Sequence, residues 1–310
     1  MNLSIIIPAY NESESIDILV NEINSALNSS HLLYEIIIID DGSDDGTWDI
    51  VKAIQNKHVK GIQLMQNMGK SVALDAGFKY SIGEVIITMD ADLQDDPNEI
   101  ISLYKMINDD GFDMVSGWKK RRLDPLSKTI PTKLYNWTTR IVSGIPLNDF
   151  NCGLKSYSNK LVKSIDLSGE MHRYIPLIAH HAGYKKIGEK IVNHRKRSFG
   201  KTKYGLSRFS NGLLDLISIS FLNKFGKSPM HFFGFLGLFF FLIGFVIAIY
   251  LTYTKLFLFQ SNMTDRPLFY LGILCMLIGT QLFLAGFIGE LILKNNSKAD
   301  LKKINEKIGF

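Results

Sequence analysis

Two apolar stretches near the end of the chain limit what it can fold into. Residues 232–251 and 268–289 contain no charged side chain. A helix rises about 1.5 Å per residue, so about 20 apolar residues span the roughly 30 Å hydrocarbon core of a bilayer. Neither stretch has a polar face, which argues against a buried hairpin in a soluble protein. The pattern predicts two transmembrane helices, over about 232–253 and about 268–293. Thr280 and Gln281 are the strongly polar residues deep in the second span, suited to hydrogen bonds across helices. Lys224 and Lys227 precede the first span, and Lys294, Lys298, Lys302 and Lys303 follow the second. Basic flanks favour the cytoplasmic side. The expectation is a multi-pass protein of the inner, cytoplasmic membrane with both termini cytoplasmic. Gly234, Gly237, Gly244, Gly272, Gly279 and Gly286 permit close helix packing, within the chain or in a homo-oligomer.

The rest of the chain has a different character. Hydrophobic residues make up 46% of the 310, but their Phe and Leu excess lies at 230–293. Residues 1–200 alternate apolar runs with charged stretches. The start has no basic segment ahead of its apolar run and is not a secretory signal. Cys152 and Cys275 sit in different regions, so neither a disulfide nor a zinc site is expected. The net charge of +5 is clustered. Lys119, Lys120, Arg121, Arg122, Lys128 and Lys133 form one group. His194, Arg195, Lys196, Arg197, Lys201, Lys203 and Arg208 form another. No nucleic-acid recognition motif accompanies them, and both groups flank the approach to the membrane, where anionic lipids attract such charge. Residues 206–225 carry Leu206, Phe209, Leu213, Leu216, Ile217 and Phe221 on one face and read as an interfacial helix.

Residues 3–8, 35–40 and 83–90 are short, β-branched and unalternating, as buried parallel strands are. Helical spacing follows at Ile16, Leu19, Val20, Ile23 and Leu27, at Trp48, Val51 and Ile54, and at Val72, Ala76 and Tyr80. Strand–helix alternation predicts a doubly wound α/β sheet, whose ligands bind beyond the carboxyl ends of the strands. The suggestive residues fall there. Asp90-Ala91-Asp92 places two carboxylates where they converge on one divalent cation, with Gln94 adding a neutral oxygen; oxygen ligands suit Mg²⁺ or Mn²⁺. In Asp40-Asp41-Gly42-Ser43-Asp44-Asp45-Gly46-Thr47, Asp45 or Thr47 is suited to cap the next helix. Asp40 or Asp41 is left to meet a base or a ribose hydroxyl. Lys70, after Asn67-Met68-Gly69, opens a helix within reach of a phosphate.

Together these residues resemble family 2 glycosyltransferases of the GT-A fold. The matching pieces are Pro8-Ala9-Tyr10-Asn11-Glu12, Asp40-Asp41-Gly42-Ser43 with Asp45-Gly46-Thr47, Asn67-Met68-Gly69-Lys70, and the run from Asp90 to Pro97. Asn151-Cys152-Gly153-Leu154-Lys155 and Arg197-Ser198-Phe199-Gly200-Lys201-Thr202-Lys203-Tyr204 are similar to motifs of a narrower branch. That branch, which includes dolichyl-phosphate mannose synthases and bactoprenol glucosyltransferases, transfers sugars to polyprenyl phosphates.

The resemblance implies a Rossmann-like mixed sheet followed by amphipathic juxtamembrane helices and a two-helix transmembrane hairpin. The expected divisions are a cytosolic domain over 1–205, an interfacial segment over 206–230, the hairpin over 231–294 and a basic tail over 295–310. It implies that Pro8, Tyr10, Asn11, Glu12, Asp40, Asp41, Lys70, Ala91 and Asp92 hold a UDP- or GDP-linked sugar. Asp90, Asp92 and Gln94 would hold the metal. Lys119, Lys128, Thr132, Arg197 and Lys203 would contact phosphate, although relatives often have Arg and Ser where this chain has Lys and Thr. Asp149 reads either as a base or sugar-hydroxyl ligand, or as a turn residue after Pro146 and Asn148. The implied reaction is an inverting, metal-dependent transfer that yields a polyprenyl-phosphate-linked monosaccharide for cell-envelope glycan modification. A polysaccharide synthase would carry Gln-x-x-Arg-Trp, which this sequence lacks. A nucleotide-sugar-binding scaffold without turnover is the non-enzyme alternative.

Overall fold

The computed structural model describes residues 1–120, 126–167, 169, 171–196, 229–258, 263–295 and 304–308, with backbone alone for 126–131, 142, 293–295 and 304–308. The basic motif at Arg197 and Lys203 and the stretch 206–225 lie outside the described residues. The chain forms two compact units, Met1–Ile219 with Asp300–Phe310, and Ser220–Ala299.

The first unit is built on β1 (Leu3–Ala9), β2 (Tyr34–Asp40), β3 (Val59–Leu64), β4 (Val85–Thr88), β5 (Met114–Trp118), β6 (Lys155–Ser158), β7 (Ile187–Ile191) and β8 (Ile304–Ile308). The sheet runs β7-β5-β6-β4-β1-β2-β3-β8. The pairs of β1 with β2, β1 with β4, β2 with β3 and β5 with β7 are parallel; those of β6 with β4, β6 with β5, and β8 with β3 are antiparallel. The sheet is therefore mixed, and the expected parallel strands are its centre. Their runs do not alternate because both faces are covered. Ile5, Ile7, Ile36, Ile38 and Ile87 face a core with α1 (Ile16–Leu27) and α4 (Ile100–Asn108). Ile6, Ile37, Ile39 and Ile86 face another with α3 (Lys70–Tyr80) and α6 (Asn159–Ser164). Each fully buried Ile contributes about 2 kcal/mol of apolar transfer energy. Between β2 and β3 lies α2 (Thr47–Ala53), and the N-cap position there is Gly46. Asp45 still serves that end, accepting from the Thr47 N–H at 3.0 Å.

Strand order fixes the site. Successive connections step from β1 to β2 to β3 on one side, and β4 then joins β1 on the other. The loops after β1 and β4 thus part, which opens a crevice at the carboxyl edge.

The second unit is a pair of helices, Pro229–Leu256 and Pro267–Asn295. Both are long and apolar enough to cross a membrane. They meet along glycines at seven-residue intervals, the repeat of a left-handed helix pair. A Cβ added at Gly237 would come within 2.6 Å of the Gly279 carbonyl oxygen, and one at Gly244 would overlap that of Gly272. Phe235, Leu238, Val246, Leu277 and Phe287 are exposed on the outer faces. Thr280 corrects an expectation: its hydroxyl donates to Met276 O of its own helix at 2.8 Å rather than across the pair.

Candidate active site

The loops after β1 and β2 are stitched together. The Asn11 N–H donates to Ser43 Oγ at 2.9 Å, and the Asn11 side chain both donates to and accepts from Asp44. The Glu12 N–H donates to Thr47 Oγ1 at 2.9 Å. Asn11 takes a left-handed φ of 51°, a conformation that Asn tolerates better than most residues. Pro8 and half-buried Tyr10 lead into this floor.

Asp40 and Asp41 turn out to be structural anchors as well. Asp40 accepts from the Ser43 N–H and from Gln63 Nε2. Asp41, buried, accepts from Met68 N at 2.8 Å and Gly69 N at 2.9 Å. Burial raises its carboxyl, those N–H groups oppose the rise, and Asp40 adds to it. The pair therefore pins the loop that delivers Lys70 to the crevice. Gly42 permits this approach: its φ is +69°, and a Cβ there would overlap the Gln66 backbone.

The acidic loop after β4 brings Asp90, Asp92 and Asp95 together. Lys70 Nζ pairs with Asp90. Burial pushes the Asp90 carboxyl up, but Lys70 and Lys119 outweigh it and hold it well below the carboxylate range. At Asp92 burial dominates, the Asp90 and Asp95 charges add to it, and the carboxyl is pushed up to about 6. An acidic set with such internal repulsion is relieved by a hard divalent cation. Among the described residues no group of three or more His, Cys, Asp or Glu is arranged to hold a metal unaided. Asp90 and Asp92 offer oxygens of the kind that a hard divalent cation takes. Gln94 lies beside them: its N–H donates to Asp92 Oδ1 at 3.2 Å, and its Nε2 donates to Arg195 O at 3.5 Å. The Arg195 N–H donates back to Gln94 O at 2.9 Å, so the segment leading to Arg197 is tied to the acidic loop.

Lys119 is paired with the same loop. Its Nζ lies 2.8 Å from Asp95 Oδ1, with side-chain exposures of 9% and 0%. Burial lowers its ammonium, but Asp95 prevails and raises it overall. This side chain offsets the charge of the acidic loop. Lys128 and Thr132 lie on α5 (Leu126–Ser143), the Lys128 side chain outside the described atoms.

Asp149 is buried, and its Oδ1 accepts from the Asn151 N–H at 3.1 Å. Glu189 on β7 grips the same turn through the N–H groups of Asn148 and Asp149, at 2.7 Å and 2.9 Å. Those are the bonds of a turn residue. Beyond it, Gly153 lies against Asp90 so closely that a Cβ there would overlap the carboxylate. Cys152 is buried, and burial pushes its thiol up to about 12, which removes it as a nucleophile. Sequence reasoning missed Lys155, His172 and Arg173, all buried. Lys155 Nζ donates to Phe150 O at 3.0 Å and Cys152 O at 2.5 Å, and burial pulls it down to about 8.

A family model described as glycosyl transferase family 2 matches residues 4–165. The chain is a family 2 glycosyltransferase. This glycosyltransferase is 34% identical over 307 residues to a dodecaprenyl-phosphate galacturonate synthase of Rhizobium johnstonii, covering 97% of this chain and 90% of that protein. It is 30% identical over 293 residues to an undecaprenyl-phosphate 4-deoxy-4-formamido-L-arabinose transferase of Aeromonas hydrophila, covering 94% and 88%. Among solved structures it resembles a Mycobacterium tuberculosis glucosyl-3-phosphoglycerate synthase in complex with Mn²⁺, UDP and glucosyl-3-phosphoglycerate. The TM-score is 0.55 at 19% identity, over 73% of this chain and 80% of that one. The expected GT-A-like mixed sheet followed by two long apolar helices is the fold that this glycosyltransferase adopts.

Proposed function

We propose that the chain transfers one sugar from a UDP- or GDP-linked donor to a polyprenyl phosphate, with inversion, at the cytoplasmic face of the inner membrane. One observation carries the acceptor. Two relatives named for polyprenyl-phosphate acceptors align over 97% and 94% of the chain, an extent that includes both apolar helices. Those relatives are named for unlike sugars, a uronate and a formamido-arabinose, so kinship speaks to the acceptor more than to the sugar.

The nucleoside lies on the Pro8–Glu12 and Asp40–Asp41 floor. Asp90 and Asp92 would hold Mg²⁺ or Mn²⁺, which supplies charge neutralisation for the leaving diphosphate; a structural neighbour was solved with Mn²⁺. Lys70 leaves Asp90 to face the β-phosphate. A lipid-phosphate oxygen attacks the anomeric carbon from the face opposite the diphosphate. The new C–O bond forms as the bond to the diphosphate breaks, and the nucleoside diphosphate departs with those electrons. A phosphate monoester is already largely ionised near neutral pH, its second pKa being about 6, so Asp149 is not needed as a base. Positioning and charge stabilisation do the rest. Arg197 and Lys203, by their match to the branch's basic motif, would contact the donor or acceptor phosphates.

The test is a donor screen with purified full-length protein and undecaprenyl phosphate. Formation of a lipid-linked monosaccharide supports the reading, and transfer to soluble sugars in preference to the lipid sinks it. Asp92→Asn is expected to lower turnover by at least about a hundredfold; near-normal activity would defeat the metal assignment.

A further inference from the structure

Leu93, between Asp92 and Gln94, is buried and has a left-handed φ of 61°. That conformation is costly for a leucine and persists only where the surroundings enforce it. Its own side chain is fixed in the core that α1 and the central strands share. The other constraint is the chain that leaves β7, which runs back along the acidic loop. The Asn193 N–H donates to Glu99 Oε1 at 3.2 Å, and Lys190 pairs with the same carboxylate. His194 lies opposite Asp95 in an antiparallel bridge. The Arg195 N–H donates to Gln94 O, and the Arg195 carbonyl accepts from Gln94 Nε2. The Arg195 guanidinium then forks. Its Nη2 lies 2.8 Å from Asp96 Oδ1, and its Nη1 lies 2.6 Å from Glu22 Oε2 on α1. Asp96 in turn caps the short turn Pro97–Glu99, accepting from the Asn98 N–H at 3.1 Å. One side chain thus fastens the exit of the acidic loop to a helix packed on the sheet.

An exposed ion pair contributes little, and the Arg195 side chain is 37% exposed. This one differs in being forked between carboxylates of two separate elements, with the backbone of the same residue bonded to the loop it clamps. Its place matters too. Gln94, its backbone partner, donates its own N–H to Asp92 Oδ1 at 3.2 Å. We propose that Arg195 is a positioning residue for the donor site: it clamps Gln94 and Asp96 to α1 and so maintains the left-handed turn at Leu93 that brings Asp92 together with Asp90. The role rests on the reading above that Asp90 and Asp92 hold the cation. Without the clamp both carboxylates remain, but their spacing is no longer enforced. The cation is then held more weakly and the donor diphosphate is misaligned.

The experiment compares full-length wild type with Arg195→Gln, Arg195→Lys, Glu22→Gln and the double variant of Arg195→Gln with Glu22→Gln. Amide hydrogen exchange is measured without metal, beside a thermal melt. The Mn²⁺ concentration for half-maximal transfer to undecaprenyl phosphate is measured with the nucleotide sugar that the wild type uses. Arg195→Gln is expected to speed exchange at residues 92–96 by at least about tenfold while the amides of β2 stay unchanged. It raises the Mn²⁺ requirement by about tenfold or more and leaves the melting temperature within about 3 °C. Glu22→Gln, remote from the reacting atoms, moves both readings the same way by a smaller factor, and the double variant is little worse than Arg195→Gln alone. Arg195→Lys recovers part of the loss, because an ammonium keeps the charge without the fork. Unchanged exchange at residues 92–96 overturns the proposal. So does faster exchange across the whole sheet with a lowered melt, the signature of a prop for the fold. A fall in kcat with the Mn²⁺ requirement unmoved overturns it as well, as do fully additive effects of Glu22→Gln and Arg195→Gln. A wild type that transfers without any divalent metal defeats the cation reading instead, and the exchange result then decides the clamp alone.

Discussion

Gly153 shows how one missing side chain sets the acidic loop. Any Cβ there would occupy the space of the Asp90 carboxylate. Gly153→Ala is therefore expected to displace Asp90, and a displacement on the scale of an ångström costs about a hundredfold in rate. Steady-state transfer assays check this, with a thermal melt to show that the variant remains folded. Lys119 offers a second test. Lys119→Met leaves Asp95 buried without its partner, a loss of about 3 kcal/mol. The double variant Asp95→Asn with Lys119→Met should recover much of it, and chemical denaturation of the full set measures the coupling. The acidic residues were legible in the sequence because each follows an apolar strand. Their counter-charges were not. Ser71 and His172 meet across 101 positions, and nothing local in Met171-His172-Arg173 tells that it will dock on α3. Likewise Asp95 and Lys119 each look like solvated loop charges until the fold buries both.

Among the elements, legibility followed the physics of burial. The runs at β1, β2 and β4 announce themselves because both faces of a central parallel strand are apolar. β6 reads Lys-Ser-Tyr-Ser and β7 reads Ile-Gly-Glu-Lys-Ile, compositions that suit a solvated loop as well as a strand. Their membership comes from pairing, which no periodicity encodes. The apolar helices were legible as spans, and their glycines as a packing surface. The partners are a property of the folded pair. Gly279→Leu forces a branched side chain against the Gly237 carbonyl and Phe241, and overpacking of this kind costs about 1–3 kcal/mol. The expected outcome is a lower melting temperature for detergent-solubilised protein. Leu277→Ala, on an exposed face, should melt near the wild type; similar losses for both would deny the glycine seam its role.

On the scale of the whole chain, the tail is the least expected part. The sequence reads as a short basic tail, yet Ile304–Ile308 lies antiparallel along β3, with Ile62 opposite Lys307. If both helices cross the membrane, residues 304–308 must be on the same side as the catalytic sheet. Cysteine labelling tests this in intact cells, because the native Cys152 and Cys275 are both buried. Asp265→Cys, between the helices, is expected to react with a membrane-impermeant reagent added from outside, and Glu306→Cys to react only after lysis.

That last strand also bears on how the protein is made. Residues 304–308 leave the ribosome after both apolar helices, so the edge of β3 stays unsealed until the hairpin has been synthesised. A hairpin inserted only halfway would strand the tail across the bilayer and leave a bare strand edge, the feature by which partly made sheets aggregate. Completion of the sheet thus depends on a segment that follows both apolar helices in the chain.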